Sequence, residues 1–239
     1  MKNLDDVYLL PGMLTAAEVD CLFQLGQFNE CRGVIVEIGS WKGKSTVALA
    51  RGSAKASSEK IYAIDPHCVL PEEGYSRYLE DTKGEFLANI SRAGVEDRVV
   101  PMIMTSEEAA KGWNQPIRVL WIDGDHRYEA ANLDFALWEP FLVEGGILAM
   151  HDTIRKKGPK RVLWERVFRS GQFQEIAIVD NITAVRKVKR ASLIARIRKY
   201  LTLVLRAVYI AARKSGGPHS KTVGRKLLRR FTRQSWLLP

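Results

Sequence analysis

Val34-Ile35-Val36-Glu37-Ile38-Gly39-Ser40-Trp41-Lys42-Gly43-Lys44-Ser45 passes from a short apolar run through a glycine-punctuated turn into a helical pattern. The first five residues read as a buried strand, and the helix is expected near Ser45–Ala54. Two glycines spaced as GxxxG mark the turn. Gly39 can adopt a positive φ and lets a ligand approach the backbone, and Gly43 does the same at the helix entrance. The pattern is not GxGxxG. Nor is it the phosphate loop GxxxxGK[ST], since the spacing to Gly43-Lys44-Ser45 is one residue short. Glu37 would sit poorly beside a pyrophosphate. A carboxylate there suits a cationic ligand, such as one with a sulfonium and an α-amino group; a bare strand-to-helix turn also accounts for the residues.

The alternation of strand and helix patterns continues on both sides. Upstream, Thr15 and Glu18 form a capping box that opens a helix through about Phe28, because each can satisfy the other's free amide. Downstream, strands are expected at Ile61–Asp65, Arg98–Met104, Arg118–Asp123 and Gly146–His151, with Gln174–Val179 and Thr183–Val188 as a closing pair. Helical stretches at Tyr75–Ala93 and Tyr128–Leu142 lie between them. Helix-length crossovers imply a mainly parallel sheet with helices on both faces. Leu133, Leu137, Trp138 and Phe141 are expected to face that sheet, and the tryptophans are read mostly as packing. Pro66–Tyr75 and Thr153–Lys160 are the expected mobile pieces.

In such a sheet, ligands bind beyond the carboxyl ends of the strands, where the strand order reverses. Asp65 ends the second strand, where a carboxylate can accept both ribose hydroxyls; a turn-forming Asp before Pro66 is the other reading. Two acidic strand ends in succession favour the ligand. Asp123, Asp125, His126, His151 and Asp152 gather at the ends of two further strands. Carboxylates with imidazole can hold a divalent cation, Mg²⁺ or Ca²⁺ by oxygen, Mn²⁺ or Zn²⁺ if the histidines join. Alternatively His126 or His151 acts directly as general base; a further reading makes Asp125 and His126 simply caps of the next helix.

The four blocks VEIGSWKGKST, YAIDP, ANISRAGVEDRVVPM and IDGDHRYEAANLDFALWEPFLVEGGILAMHDT occur in order between Gly33 and Val188. In these the chain resembles the class I S-adenosylmethionine (SAM)-dependent methyltransferases, and among them the methyltransferase domain 24 type, related to catechol and caffeoyl-CoA O-methyltransferases. The resemblance implies a Rossmann-like α/β fold, a seven-stranded sheet in the order 3-2-1-4-5-7-6 with only the last-ordered strand antiparallel. It implies SAM as cofactor, held by Glu37, Gly39, Ser40, Gly43, Ser45, Asp65, Ser106 and Asp123, with Thr105 beside the adenine. From the chemistry of the two strand ends, catalysis is expected of Asp123, His126 and His151. The catechol-type relatives hold a metal with an Asp ending the fourth strand and an Asp-Asn pair ending the fifth. Asp123 matches the first, but the pair is His151-Asp152 here, so a Mg²⁺ or Mn²⁺ site on Asp123, His151 and Asp152 departs from the pattern. The expected reaction is O-methylation of a small or saccharide-like hydroxyl. Against RNA methylation, the fourth strand ends IDGDHRY rather than [DNS]PP[YF]; a SAM-binding protein without catalysis is the third reading.

Charge divides the chain. The net charge is +10, yet no acidic residue follows Asp180, and 16 of the 37 Lys and Arg lie from Arg186 onward. The first 180 positions hold 21 basic against 27 acidic residues. Three segments are therefore expected: 1–32 helical, 33–190 catalytic, and 191–239 a basic amphipathic tail. In Ser192–Lys214, Arg196, Lys199, Arg206 and Arg213 fall within about 100° of one another at helical period. Leu193, Ile197, Leu201, Val204, Val208 and Ala211 form the opposite stripe. With Lys221–Arg233, Phe231 and Trp236, the segment 192–236 suits an anionic membrane surface, where the substrate could be lipid-linked. The other readings are packing on the domain or a sister subunit, a grip on RNA phosphates, and a disordered tail beyond Gly216-Gly217-Pro218. Cys21, Cys31 and Cys68 form no metal or disulfide pattern, and the N-terminus has no secretory character. A cytoplasmic protein, peripheral on the inner face of a membrane, is the expectation.

Overall fold

The computed structural model describes residues 4–56, 59–68 and 82–215, with 206 and 208–215 described through their backbone alone. Seven strands form one sheet: β1 Val34–Ile38, β2 Ile61–Ile64, β3 Val99–Met102, β4 Ile117–Ile122, β5 Leu142–Met150, β6 Phe173–Val179 and β7 Ile182–Lys187. Their spatial order is 3-2-1-4-5-7-6. Neighbours are parallel from β3 through β5, while β7 runs antiparallel to both β5 and β6. The single reversed strand is thus the last in chain order.

Helices α1 Asp5–Leu9, α2 Ala16–Gln27, α3 Lys44–Ala56 and α4 Thr82–Arg92 cover one face. The other carries α5 Ser106–Ala110, α6 Tyr128–Trp138, α7 Lys157–Val162 with a π-helical continuation to Phe168, and α8 Leu193–Ser215. Strand alternation feeds both layers: Ile35, Val119, Trp121, Ile147 and Ala149 pack under α2 and α3. Val36, Ile38, Leu120, Ile122, Leu148 and Met150 pack under α6 and α7. Burial on two faces is why the strands read as unbroken apolar runs.

Helix α2 is fixed at both ends. Thr15 Oγ1 accepts from Glu18 N at 3.2 Å and Glu18 Oε2 from Thr15 N at 2.8 Å, the expected capping box. At the other end the buried guanidinium of Arg118, from β4, donates to the carbonyls of Phe28 and Gly26. A cation at a helix C-terminus meets orphan carbonyls and the negative end of the helix dipole.

Three expectations need correction. Helix α6 stops at Trp138, and a 3₁₀ turn Glu139–Phe141 leads into β5 four residues earlier than the glycines suggested. Gly145-Gly146 does not open β5 but lies inside it: register shifts between Ile117 and Val119, opposite Leu142 and Ile147, so the pair sits in an irregularity of the strand. Leu133 is exposed, because the inward face of α6 is Ala131, Asp134, Phe135 and Trp138, with a polar residue interrupting the apolar period. Trp164 is also exposed, whereas Trp121 and Trp138 are fully buried. The start of the helix expected at Tyr75, most of the loop Pro66–Tyr75, and Lys221–Arg233 with Phe231 and Trp236 lie outside the described residues.

Candidate active site

The sheet's final rungs bring the expected site residues level with one another. Asp65 N donates to Met102 O at 3.2 Å, Gly39 N to Ile64 O at 2.9 Å, Asp123 N to Ile38 O at 2.8 Å, and His151 N to Ile122 O at 3.0 Å. Four strand ends from distant parts of the chain thus share one edge. Trp41, His67 and Asp152, at this edge, have φ of 42°, 52° and 49°. Left-handed backbone in non-glycine residues costs about 1–3 kcal/mol each and gathers where function requires it.

The first turn is built around Asp65. Its Oδ2 accepts from Ser40 N at 2.9 Å and Trp41 N at 2.8 Å, and its Oδ1 from His67 N at 2.7 Å. The carboxylate therefore staples β2 to the β1–α3 turn, a structural task the sequence did not disclose. Glu37 is wholly buried, with Thr46 Oγ1 donating to its Oε2 at 2.5 Å. Burial pushes its carboxyl up to about 8, although Ser45 and Thr46 pull the other way. Glu37 Oε1 and Ser40 Oγ are buried without a hydrogen-bond partner. Two orphaned polar atoms at the glycine turn fit a ligand carrying an ammonium and hydroxyl groups, and in that respect the turn fits SAM. Ser45 and Gly43 lie at the entrance of α3, Gly43 with φ +86°. Ser106 differs: its hydroxyl accepts from Trp138 Nε1 at 2.8 Å and steadies the buried Asp134, so it ties α5 to α6. Thr105 is the N-cap of α5, in a capping box with Glu108.

At the second half of the edge, His151 is buried between two carboxylates. Its Nδ1 lies 3.1 Å from Asp123 Oδ1 and its Nε2 3.3 Å from Glu18 Oε1. Glu18 Oε1 also accepts from Asn181 N at 2.9 Å. Burial alone would lower the imidazole's pKa, but hydrogen bonds to Asp123 and Glu18, with their charges, outweigh it and push it up to about 10. For Glu18, burial raises the pKa, yet His151 and the amides of Thr15 and Asn181 bring it below the ordinary value. His126 Nε2 lies 3.2 Å from Asp152 Oδ2, and Asp125 is bound by the amide and guanidinium of Arg127 at 2.8 and 2.6 Å. Asp125 therefore shapes the loop before α6 rather than capping that helix, whose N-cap is Arg127.

Glu18 is the residue that sequence reasoning missed. It was legible only as half of a capping box, and nothing local signals a partner 133 positions away.

The metal expectation meets an obstacle in this geometry. Both nitrogens of His151 face acceptor-only carboxylates, so each carries its proton and neither offers a lone pair. Among the described residues, no group of three or more His, Cys, Asp or Glu is arranged to hold a metal ion. Asp123, His151 and Asp152 as disposed here do not fit one.

The imidazolium also sets a pH dependence. Below pH 6.5 His151 is protonated folded or unfolded; between 6.5 and about 10 only the folded chain keeps the proton. Its stabilising contribution is complete below 6.5 and is lost as pH rises through about 10. Glu18 has the opposite sign, contributing above 4.5 and losing that contribution in acid. One unit corresponds to about 1.4 kcal/mol, so an alkaline loss on the order of a few kcal/mol is expected in urea unfolding. The loss should be clearly smaller in His151→Gln; equal slopes for the two proteins would discard this account.

Known proteins agree with the fold. Residues 36–153 match the family described as methyltransferase domain. The uncharacterized protein R132 of Acanthamoeba polyphaga mimivirus is 25% identical over 120 residues, 49% of this chain and 50% of that protein. The chain thus spans about half the length of the curated relative it matches. The structure of the O-methyltransferase NovP is similar with a TM-score of 0.64 at 15% identity, over 74% of this chain and 82% of that one. An O-methyltransferase from Bacillus cereus in complex with SAH gives 0.56 at 19% identity, over 77% and 90%. Cofactor-bound Rv0187 from MTB gives 0.57 at 19%, over 76% and 85%. Residues 36–153 are thus similar to a methyltransferase domain, and the strand order is that of the Rossmann-like methyltransferase class of folds. Within that class, two of these three similar structures are named as O-methyltransferases.

Proposed function

We propose that the chain methylates a hydroxyl group of a small or saccharide-like acceptor at the carboxyl edge of β4 and β5. The observation that supports this is the level alignment of the SAM-side turn, Gly39 and Asp65, with Asp123, His151 and the His126–Asp152 pair. A membrane as the place of work, and with it a lipid-linked acceptor, rests on α8 and is argued below.

When bound, SAM supplies an electrophilic methyl group on a sulfonium. The protein's part is largely alignment, since holding nucleophile and methyl close and collinear removes much of the barrier. Asp65 orders the turn and retains acceptor capacity for a ribose hydroxyl. Glu37 Oε1 and Ser40 Oγ are suited to polar groups of the methionine portion. Asp123, held by His151, stands beside the acceptor. His126 is the better general base of the two histidines: its side chain is 31% exposed, with Asp152 beside it at 3.2 Å, whereas both nitrogens of His151 face carboxylates. His151 serves to hold charge, not to accept it, because both its nitrogens are engaged. With the methyl group coming from SAM, the hydroxyl proton of the acceptor would pass to His126.

Calorimetric titration with S-adenosylhomocysteine tests the cofactor part. Wild type is expected to bind, and Asp65→Ala to weaken binding by about 100-fold, the loss of charged hydrogen bonds worth roughly 1.5–3 kcal/mol each. No heat with wild type, or an unchanged affinity in the variant, would remove the reading. Extracts incubated with radiolabelled methyl donor, with and without the gene, identify the acceptor; label in RNA instead of a small hydroxyl compound would overturn the O-methylation.

A further inference from the structure

Helix α8 docks on the domain with its polar side inward. Lys199 is buried, and its Nζ donates to the carbonyls of Val167 at 3.1 Å, Ser170 at 2.7 Å and Phe173 at 3.5 Å. Thr202 is buried beside it, Tyr200 Oη donates to Phe168 O at 3.3 Å, and Leu203 and Leu205 reach the core. The aliphatic stripe is turned the other way. Leu193, Ile194, Ile197, Leu201 and Val204 are between 49% and 72% exposed. At helical period they span about 100°, and the exposed Arg196 and Arg198 lie beyond its two edges. One member of the basic arc read from the sequence, Lys199, is thus the anchor to the domain.

An amphipathic helix held by a lysine, with its apolar stripe in water, is an arrangement awaiting a second phase. We propose that this stripe lies in the headgroup–acyl boundary of an anionic lipid bilayer, with Arg196 and Arg198 at the phosphates. Charge selects this occupant over the others. No carboxylate side chain follows Asp180. Two copies joined stripe to stripe would therefore bring arginines together with no acidic residue of either helix to offset them. A nucleic acid would satisfy the arginines but leave five aliphatic side chains in water. A lipid surface accepts both, the side chains among acyl groups and the guanidiniums at the anionic layer. The contact is peripheral, since no helix among the described residues is long and apolar enough to cross a membrane. Docking through Lys199 would keep the catalytic domain beside the bilayer, within reach of a lipid-linked hydroxyl.

The test uses the full chain and vesicles of phosphatidylcholine, with or without phosphatidylglycerol, separated by flotation. The wild type is expected to float with the anionic vesicles and to stay behind with the neutral ones. The double variant Ile197→Ser and Leu201→Ser keeps every charge and the docking contacts of Lys199 and Tyr200, so it should melt as wild type does and bind S-adenosylhomocysteine equally. Its affinity for anionic vesicles is expected to fall about tenfold or more, because apolar area is lost from the stripe. Arg196→Gln with Arg198→Gln should weaken flotation and reduce its salt dependence. Equal flotation of the serine variant would overturn the proposal, as would a wild type that ignores anionic vesicles. So would a wild-type dimer in ultracentrifugation that the serine variant dissociates.

Discussion

Asp123→Asn is expected to lower kcat by two to four orders of magnitude while the protein still folds. The amide is isosteric, and the backbone at this position stays locked by the bond from Asp123 N to Ile38 O. Its oxygen can still face His151 Nδ1 across the 3.1 Å gap. What disappears is a negative charge in a secluded site, where charged hydrogen bonds are strong and already oriented. The imidazolium would then be balanced only by Glu18 and the more distant Asp152, and the acceptor hydroxyl would meet a less compensated cation where it needs to shed a proton. Steady-state rates at saturating methyl donor measure the effect. A kcat within threefold of wild type would show that Asp123 is scaffolding. The accompanying change in melting temperature should be a few degrees, which separates lost chemistry from lost fold.

Gly39→Ala should be a severely damaging single-methyl change, lowering stability by about 3 kcal/mol or more. Gly39 has φ +84°, a conformation that costs an L-residue about 1–2 kcal/mol. A Cβ there would also overlap Asp123 O and stand 2.7 Å from Asp123 C and 2.9 Å from Gly124 N. These are backbone atoms of the adjoining strand end, so β1 and β4 would have to separate just where the site is assembled. Gly94 provides the control: its φ is +64°, but nothing lies within 4 Å of a Cβ placed there. Gly94→Ala should lose only the conformational part, about 1 kcal/mol. Urea midpoints of the two variants, measured together, isolate the packing contribution, and equal losses would refute it.

Much of the architecture could be read residue by residue, since its cues are local. β1 has the bounds expected from the apolar run Val34–Ile38, and the capping box at Thr15–Glu18 opens α2 as expected. The boundaries that missed are those where a polar or glycine residue imitates another signal. Asp134 interrupts the apolar period of α6 because it is buried against Ser106, and Gly145-Gly146 lies within a strand whose irregularity neighbouring β4 absorbs.

The chain's order of residues was enough to establish an alternating α/β sheet, a glycine turn at the first strand end and acidic residues at the ends that follow. Each of those depends on neighbours a few positions apart, through hydrogen bonding, side-chain periodicity and backbone freedom. Folding in three dimensions settled the rest: that Glu18 reaches His151, that Asp65 staples the first turn, and that α8 turns its aliphatic stripe outward. Those outcomes depend on contacts across tens to more than a hundred positions, and electrostatic pairing at such separations leaves no periodic trace in a linear sequence.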